Sequence, residues 1–183
     1  MKNNFKRNVY ISSSISMVIL MVSSLASFIS IKSLLNSNSW VNHTQEIIYN
    51  LNEGANSIVE AQTSMRGFLI TGREDYLSHF DQSLEISNAA FEKIEELTLD
   101  NPIQQNNLKE LKPIRLKFFN FLRYRVNDRR MGVNLQAYDL DTGKSLMDQI
   151  KVIVKRIEQH EQGLLKMRTD NSQRYGNYSS ILI

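Results

Sequence analysis

The sequence contains no cysteine, and only two prolines and seven glycines occur among its 183 residues. Without cysteine the chain can form neither a disulfide bond nor a thiolate metal site. Proline and glycine interrupt helices most strongly, so their scarcity favours long helices joined by short connections. The composition therefore excludes a disulfide-stabilised scaffold and favours an all-α fold.

Motifs for catalysis and for nucleic-acid binding are missing as well. The three histidines, His43, His79 and His160, form no His-Glu-x-x-His pair, and the chain has neither a P-loop nor a nucleophile elbow. The net charge is +3, and the basic residues are scattered among acidic ones, unlike the footprint of a nucleic-acid-binding surface. We therefore expect no enzyme activity, no metal site, no cofactor and no nucleic-acid partner for these residues.

One long uncharged run is present, Asn8–Ile31, bounded by Arg7 and Lys32. As a helix this run rises roughly 36 Å, which is enough to cross the hydrocarbon core of a bilayer with some tilt. Its many serines can hydrogen-bond to carbonyl groups of their own helix and so stay satisfied in lipid. The run predicts a transmembrane helix over residues 9–31.

Basic residues on one side of the run predict its orientation. Those that precede it are Lys2, Lys6 and Arg7. By the positive-inside rule, residues 1–8 stay in the cytoplasm and the chain from Lys32 onward lies outside, which predicts a location in the cell (inner) membrane with a periplasmic or extracellular domain. A cleaved signal peptide is the alternative, but the apolar region is long, and helical heptad spacing follows it almost at once without a clear small-x-small cleavage site and break.

The other end of the chain also lacks charge. After Arg174 the sequence contains two tyrosines and then a short apolar ending, Ile181-Leu182-Ile183. These residues are too few to cross a membrane. We expect residues 175–183 to be the start of a second transmembrane helix that is truncated here; the alternative is a tail that simply ends.

Between these two regions, apolar residues recur at alternating steps of four and three, the heptad pattern of packed helices. The first such seam consists of Thr44, Ile48, Leu51, Ala55, Ile58, Gln62, Met65 and Leu69. A later helix, beginning near Thr142, has a second seam at Leu146, Ile150, Ile153, Ile157, His160, Leu164 and Met167. The first seam extends back toward the uncharged run, so one helix is expected to continue from the membrane into the domain.

Two further helices complete the predicted fold. One covers about Asp75–Leu97, and another covers Ile103–Tyr138, with Pro102 suited to its first position and Pro113 marking a kink or a later start. The prediction is an all-α protein whose N-terminal transmembrane helix continues into an antiparallel up-down-up-down four-helix bundle over residues 34–174.

The amino-acid sequence of the predicted turn between the first two helices is distinctive. Residues 66–72 read R-G-F-L-I-T-G and are followed by Tyr76-Leu77. This block resembles the signature of the CHASE3 domain, an extracytoplasmic sensory module of bacterial receptors. The opening block Val41–Thr44 and the closing block Gly143–Ile150 are similar to the family in order and spacing, so the resemblance covers about residues 40–172. The chain departs from the family at Gln62 and Ser64, where a carboxylate and a glycine are usual.

The resemblance implies a sensory module flanked by two membrane helices, working as a homodimer in the bilayer and passing a small-molecule or protein signal to a cytoplasmic output such as a histidine kinase. It assigns a structural or signalling role to Arg66, Gly67, Phe68, Thr71, Gly72, Tyr76, Gly143, Met147 and Asp148. The alternative is a membrane-tethered structural or assembly bundle without a sensing role.

Three residues keep two interpretations each. His160 lies on the apolar seam and is either a neutral core histidine or a pH-sensitive switch, because imidazole titrates near neutrality. Arg66 and Arg168 lie near the seams and either pair with a carboxylate, such as Glu60 or Glu161, or hold an anionic ligand.

A cluster of aromatic residues on the third helix has a further interpretation. Its members are Phe118, Phe119, Phe121 and Tyr124. Adjacent helical residues cannot all face one core, so we expect part of this cluster to contact a dimer partner.

Overall fold

The computed structural model describes the backbone of residues 2–133 and 137–182, and the side chains of residues 6–133 and 141–176. Within these ranges the chain contains no strand and is 93% helical. The helices are α1 (Lys2–Thr71), α2 (Phe80–Leu97), α3 (Pro102–Arg130) and α4 (Ala137–Leu182). The prediction of an all-α fold with a long N-terminal helix and a helical bundle is confirmed.

The chain divides into two compact units. One is the bundle, His43–Leu164, and the other combines Met1–Asn42 with Leu165–Ile183. Helix α1 has no break between Lys2 and Thr71, so the predicted continuation of the apolar helix into the first bundle helix is confirmed.

The bundle core is built from one apolar stripe on each helix. Leu51 of α1, Ile94 of α2, Phe118 of α3 and Ile157 of α4 are all fully buried. Burying a side chain of this size contributes roughly 1.5–3 kcal/mol before the entropy of ordering it is counted. The heptad seams therefore face one shared core, as the four-and-three spacing predicts.

The aromatic cluster of α3 lies mostly in the core, and its contact with a dimer partner stays a prediction. Phe118 and Phe119 are buried in the core, where their rings meet edge to face at 6.4 Å between centroids. Phe121 packs beside the core, and only Tyr124 is exposed. The cluster is mainly a core element, because neighbouring residues reach the core from both flanks of a helix that is buried on more than one side.

The connection from α1 to α2 is longer than predicted. Gly72 has a φ of +72° and ends α1, as the left-handed conformation of glycine allows. A single 3₁₀ turn, Glu74–Leu77, follows, and α2 begins only at Phe80. The predicted start at Asp75 is therefore wrong: His79, with φ −106° and ψ 3°, interrupts the helix before Phe80.

Helix α3 begins as predicted and ends earlier. The Asn101 side chain accepts a hydrogen bond from the Gln104 amide at 3.3 Å, and Pro102 takes the first helical position. Pro113 lies inside a helix that continues past it. The predicted end at Tyr138 is wrong, because Gly132 adopts a φ of +76° and closes the helix after Arg130.

Helix α4 correspondingly starts at Ala137, before the predicted Thr142. The part of the third-helix prediction that falls on residues 134–136 lies outside the described residues. The α4 seam is buried from Leu146 to Ile157, and at His160 and Leu164 it is half-buried.

The second unit contains the uncharged run. Its large apolar side chains are exposed; Leu20, for example, is 70% exposed. The most apolar window of α1 has a mean hydropathy of 2.1, and none of it is buried. By length and composition, α1 is the one helix in the described residues that could cross a membrane. The transmembrane segment at residues 9–31 and the second one at 175–183 stay predictions.

Close packing at a glycine supplies a test of the bundle. A Cβ at Gly54 would lie 2.8 Å from Cε2 of Phe91, whereas a Cβ at Gly163 would meet nothing within 4 Å. We expect Gly54→Ala to lower the free energy of unfolding by about 1–3 kcal/mol through overpacking. Gly163→Ala should raise it by about 0.5–1 kcal/mol through helix propensity. Thermal unfolding followed by circular dichroism measures both, and shifts of the same sign would contradict this packing.

Candidate functional site

The motif residues predicted from the sequence lie in two places of the bundle. The first group, Arg66 to Tyr76, forms the last turn of α1 and the 3₁₀ turn after it. The second group, Gly143, Met147 and Asp148, lies on the early turns of α4. Within the first group the structure brings Gly67 and Tyr76 together, and it joins the turn to the end of α3.

Gly67 is required by the ring of Tyr76. A Cβ at Gly67 would lie 2.9 Å from Cγ and from Cε1 of Tyr76, which is closer than real Cβ atoms come to ring carbons. The guanidinium of Arg73 lies 5.7 Å from the centre of the same ring. The ring thus folds the turn back onto α1, and the motif glycine serves packing.

Thr71 and Gly72 end the helix. The hydroxyl of Thr71 donates to the carbonyl of Gly67 at 2.7 Å and accepts from the amide of Arg73 at 3.2 Å. The amide of Gly72 donates to the carbonyl of Phe68 at 2.8 Å. These bonds satisfy backbone groups that a helix end would otherwise leave unpaired.

An ion pair holds the turn to the last turn of α3. Arg130 donates from Nε and Nη2 to the two carboxylate oxygens of Glu74, at 2.9 and 2.7 Å. The same guanidinium lies 5.8 Å from the ring centre of Phe68, a buried residue of the motif. The hydrogen bond from Arg130 lowers the pKa of Glu74 below its usual range and raises that of Arg130.

The α4 motif residues have separate roles. A Cβ at Gly143 would lie 2.8 Å from Cε1 of Phe121, so this glycine lets α3 approach α4. Met147 is buried in the core. Asp148 is exposed and accepts a hydrogen bond from Lys144 at 2.7 Å, which lowers the pKa of Asp148 and raises that of Lys144.

The arginine and the histidine singled out by sequence are not in the core. Arg66 is exposed on α1. His160 is half-buried, and its Nε2 lies 3.3 Å from Nδ2 of Asn101. The core position beside it belongs to Glu161, which is fully buried. The switch hypothesis for His160 stays a prediction.

A chain of four polar side chains, three buried and one half-exposed, links α3 to α4, and sequence reasoning missed it as a site. We call Gln104, Asn107, Arg156 and Glu161 the polar layer. Nε2 of Gln104 donates to Oε1 of Glu161 at 2.7 Å and to the carbonyl of Ile157 at 3.2 Å. Nδ2 of Asn107 donates to Oε1 of Gln104 at 3.1 Å. Nη1 of Arg156 donates to Oδ1 of Asn107 at 3.2 Å.

One series of these bonds runs inward from the half-exposed Arg156 through Asn107 and Gln104 to Glu161, and Nη1 of Arg156 also donates to Oε2 of the exposed Glu110 at 2.7 Å. The layer is incomplete at its inner end. Oε2 of Glu161 is buried and has no hydrogen-bond partner among the described residues. A buried carboxylate oxygen without a partner is costly, so the hydrogen bond to Oε1 is the one that offsets the burial of Glu161.

A buried cation, Arg115, lies elsewhere in the core. Arg115 is 4% exposed, donates from Nη1 to the hydroxyl of Ser87 at 3.1 Å, and stacks 4.9 Å from the ring centre of Phe91. Burial lowers the pKa of Arg115 from its ordinary value. The sequence signals a buried charged side chain only by placing a charged residue where an apolar seam continues. Glu161, one turn after Ile157, is an example.

Comparison with known proteins gives one family. A family model described as the CHASE3 domain matches residues 37–171. This range includes all the motif residues and the polar layer. In the same comparisons, no curated protein and no solved structure matches the chain.

The Glu74–Arg130 pair predicts a pH dependence. The pKa of Glu74 is lower in the folded chain than its ordinary value of 4.5, so the pair stabilises the fold fully above that pH. As pH falls through the folded pKa, Glu74 takes up a proton and this contribution is lost. Glu74→Gln should therefore differ from the unsubstituted chain at neutral pH and converge with it in acid. Urea unfolding across pH measures this.

The matched control is Glu53→Gln, at an exposed acid of α1. Its effect on unfolding should vary little with pH. A Glu74→Gln effect that stays constant as the pH is lowered to the acid limit of the folded state would contradict the ion pair as its source.

Proposed function

The chain belongs to the CHASE3 domain family, an extracytoplasmic sensory domain, and from this premise we propose that it is a membrane-anchored sensory input module that passes a signal to a cytoplasmic output domain. The family and the apolar N-terminal helix together fit a membrane sensory module. We further propose that the bundle lies outside the cytoplasm, that the module is a homodimer and that its output domain is a histidine kinase.

The observation that carries the proposal is the continuity of α1. This one helix contains both the uncharged run, residues 8–31, and the first part of the turn motif, residues 66–71. Packed helices move by small shifts between discrete arrangements, and an unbroken helix passes such a shift along its length. A helix with a flexible break would not transmit the shift past the break.

The polar layer supports the sensing part of the proposal. A core of apolar side chains has no hydrogen bonds to change, whereas in the polar layer a change in the position of α3 or α4 alters which buried groups are hydrogen-bonded. Gln104 and Glu161 join α3 to α4 at 2.7 Å, so a change in their bonding displaces α4 relative to its neighbour. We take this displacement as the signal that leaves the bundle.

The exposed face of α1 supports the homodimer. Tyr49, Val59 and Ile70 are exposed there, Ile70 to 81%. Beside them an apolar groove between α1 and α4 is lined by Ile58 and Met147. Apolar surface of this kind fits a second copy of the chain.

The absence of cysteine allows a direct test of topology. Asn3→Cys places a thiol before the uncharged run, and Asn52→Cys places one on an exposed position of the bundle. We expect a membrane-impermeant maleimide to label Cys-substituted position 52 in intact spheroplasts and position 3 only after lysis. Protection of position 52 in intact spheroplasts would contradict an extracytoplasmic bundle, and loss of the position 3 thiol by cleavage would indicate a signal peptide.

Sensing is separated from mere tethering by a fusion that places a reporter histidine kinase after residue 183. We expect Gln104→Met, which breaks the polar layer, to change kinase output at least threefold because α4 changes its arrangement. Gln159→Met is the matched control, since Gln159 is exposed on α4. Equal output from both variants and the unsubstituted fusion would favour the structural tether.

A further inference from the structure

The unit formed by Met1–Asn42 and Leu165–Ile183 contains a groove between α1 and α4. We call it the juxtamembrane groove. It has a volume of about 310 Å³ and is lined mainly by Ser33, Ser37, Trp40, Arg168, Asn171 and Tyr175. These residues offer hydroxyl, amide and guanidinium donors between two aromatic rings, and none of the described lining residues is acidic.

Arg168 is held in a defined place in this groove. Its guanidinium carbon lies 4.7 Å from the ring centre of Trp40, within the range of a cation–π contact. Its Nη1 donates to the carbonyl of Trp40 at 3.4 Å, and the hydroxyl of Ser37 donates to the carbonyl of Arg168 at 3.4 Å. The positive charge and the indole ring are therefore presented together.

The groove begins where the uncharged run ends. Ser33 follows Lys32 directly, and the apolar residues on either side, Ile31 and Leu35, are exposed. From Ser33 to Trp40 the helix rises about 10 Å, which is comparable to the depth of a phospholipid headgroup layer. The groove is thus continuous with the surface that, in the proposed function, faces lipid.

The side chains that line the groove favour an anionic headgroup over an apolar molecule or a soluble anion. A guanidinium is planar and presents several donors, which suits phosphate oxygens, and Trp and Tyr are the residues that favour the membrane interface. An uncharged apolar molecule would use neither Arg168 nor the serine hydroxyls. A soluble anion would use Arg168, but it would not need the exposed apolar side chains that border the groove.

We propose that the juxtamembrane groove binds the headgroup of an anionic phospholipid from the leaflet on the bundle side, with Arg168 as the phosphate ligand and Trp40 as the adjoining aromatic wall. The proposal rests on the membrane insertion of α1 that is part of the proposed function. It makes lipid composition an input to the two helices, α1 and α4, that line the groove.

Trp40 is the only tryptophan of the chain, so its fluorescence reports on the groove alone. The full chain is reconstituted in phosphatidylcholine vesicles with and without 30% phosphatidylglycerol, and the neutral quencher acrylamide is added. We expect phosphatidylglycerol to lower the Stern–Volmer constant of Trp40 at least twofold. Arg168→Gln should abolish this protection, and Lys166→Gln, an equal charge change at an exposed α4 position, should retain it.

Two measurements distinguish failure of membrane insertion from failure of the headgroup site. Carbonate-resistant flotation with the vesicles tests membrane insertion: a chain that does not float overturns both the proposed function and this proposal. If the chain floats, quenching that is independent of phosphatidylglycerol, or equally dependent on it in Arg168→Gln, overturns the headgroup site alone. Protection by inorganic phosphate in pure phosphatidylcholine would assign the groove to a soluble anion and overturn the lipid.

Circular dichroism checks that Arg168→Gln keeps its helical content. Should it lose helix, Arg168→Lys replaces it as the test variant, since lysine keeps the charge and loses the planar fork. Protection by phosphatidylglycerol retained at half or more of its original size in Arg168→Lys supports the phosphate contact. Complete loss of protection with normal helicity would overturn charge as the basis of binding.

Discussion

The constraint on which the structure depends is that α1 is one helix in two environments. Its backbone continues from Lys2 to Thr71, so every side chain on it shares a single helical register. The early part exposes apolar residues on all sides, while the part after His43 buries one stripe against three other helices. Both parts belong to the one helix Lys2–Thr71, so the same helical backbone serves an exposed apolar surface and a buried seam.

The features that the sequence predicts best are those set by residues close together in the chain. The heptad seams of α1 and α4 and the end of α1 at Gly72 follow from spacing and from backbone preference. The start of α2 at Phe80 could not be predicted in this way, because the backbone of His79 leaves the helical conformation and the turn before it packs Tyr76 against Gly67, a contact that no local pattern signals. The bond between Gln104 and Glu161 joins residues on different helices, and neither residue carries a local signal of its partner. Contacts that are distant in sequence were missed for that reason.

The polar layer also fixes the alignment of helices in a bundle whose helices are all similarly amphipathic. Apolar seams with the same spacing can slip past one another by a heptad with little loss of buried area. A buried amide–carboxylate pair cannot, because slippage would leave both groups without partners in the core. Gln104 and Glu161 therefore specify the alignment of α3 against α4, while the unpartnered Oε2 of Glu161 keeps that alignment from being the most stable one possible.

The bidentate contact between Arg130 and Glu74 also bears on how the bundle opens. It ties the end of α3 to the turn between α1 and α2, two segments that are far apart in the chain. Each would otherwise fray independently, as helix ends and turns do. With the contact in place, opening either segment breaks the two hydrogen bonds between Arg130 and Glu74. The contact therefore couples the fraying of the end of α3 to that of the turn.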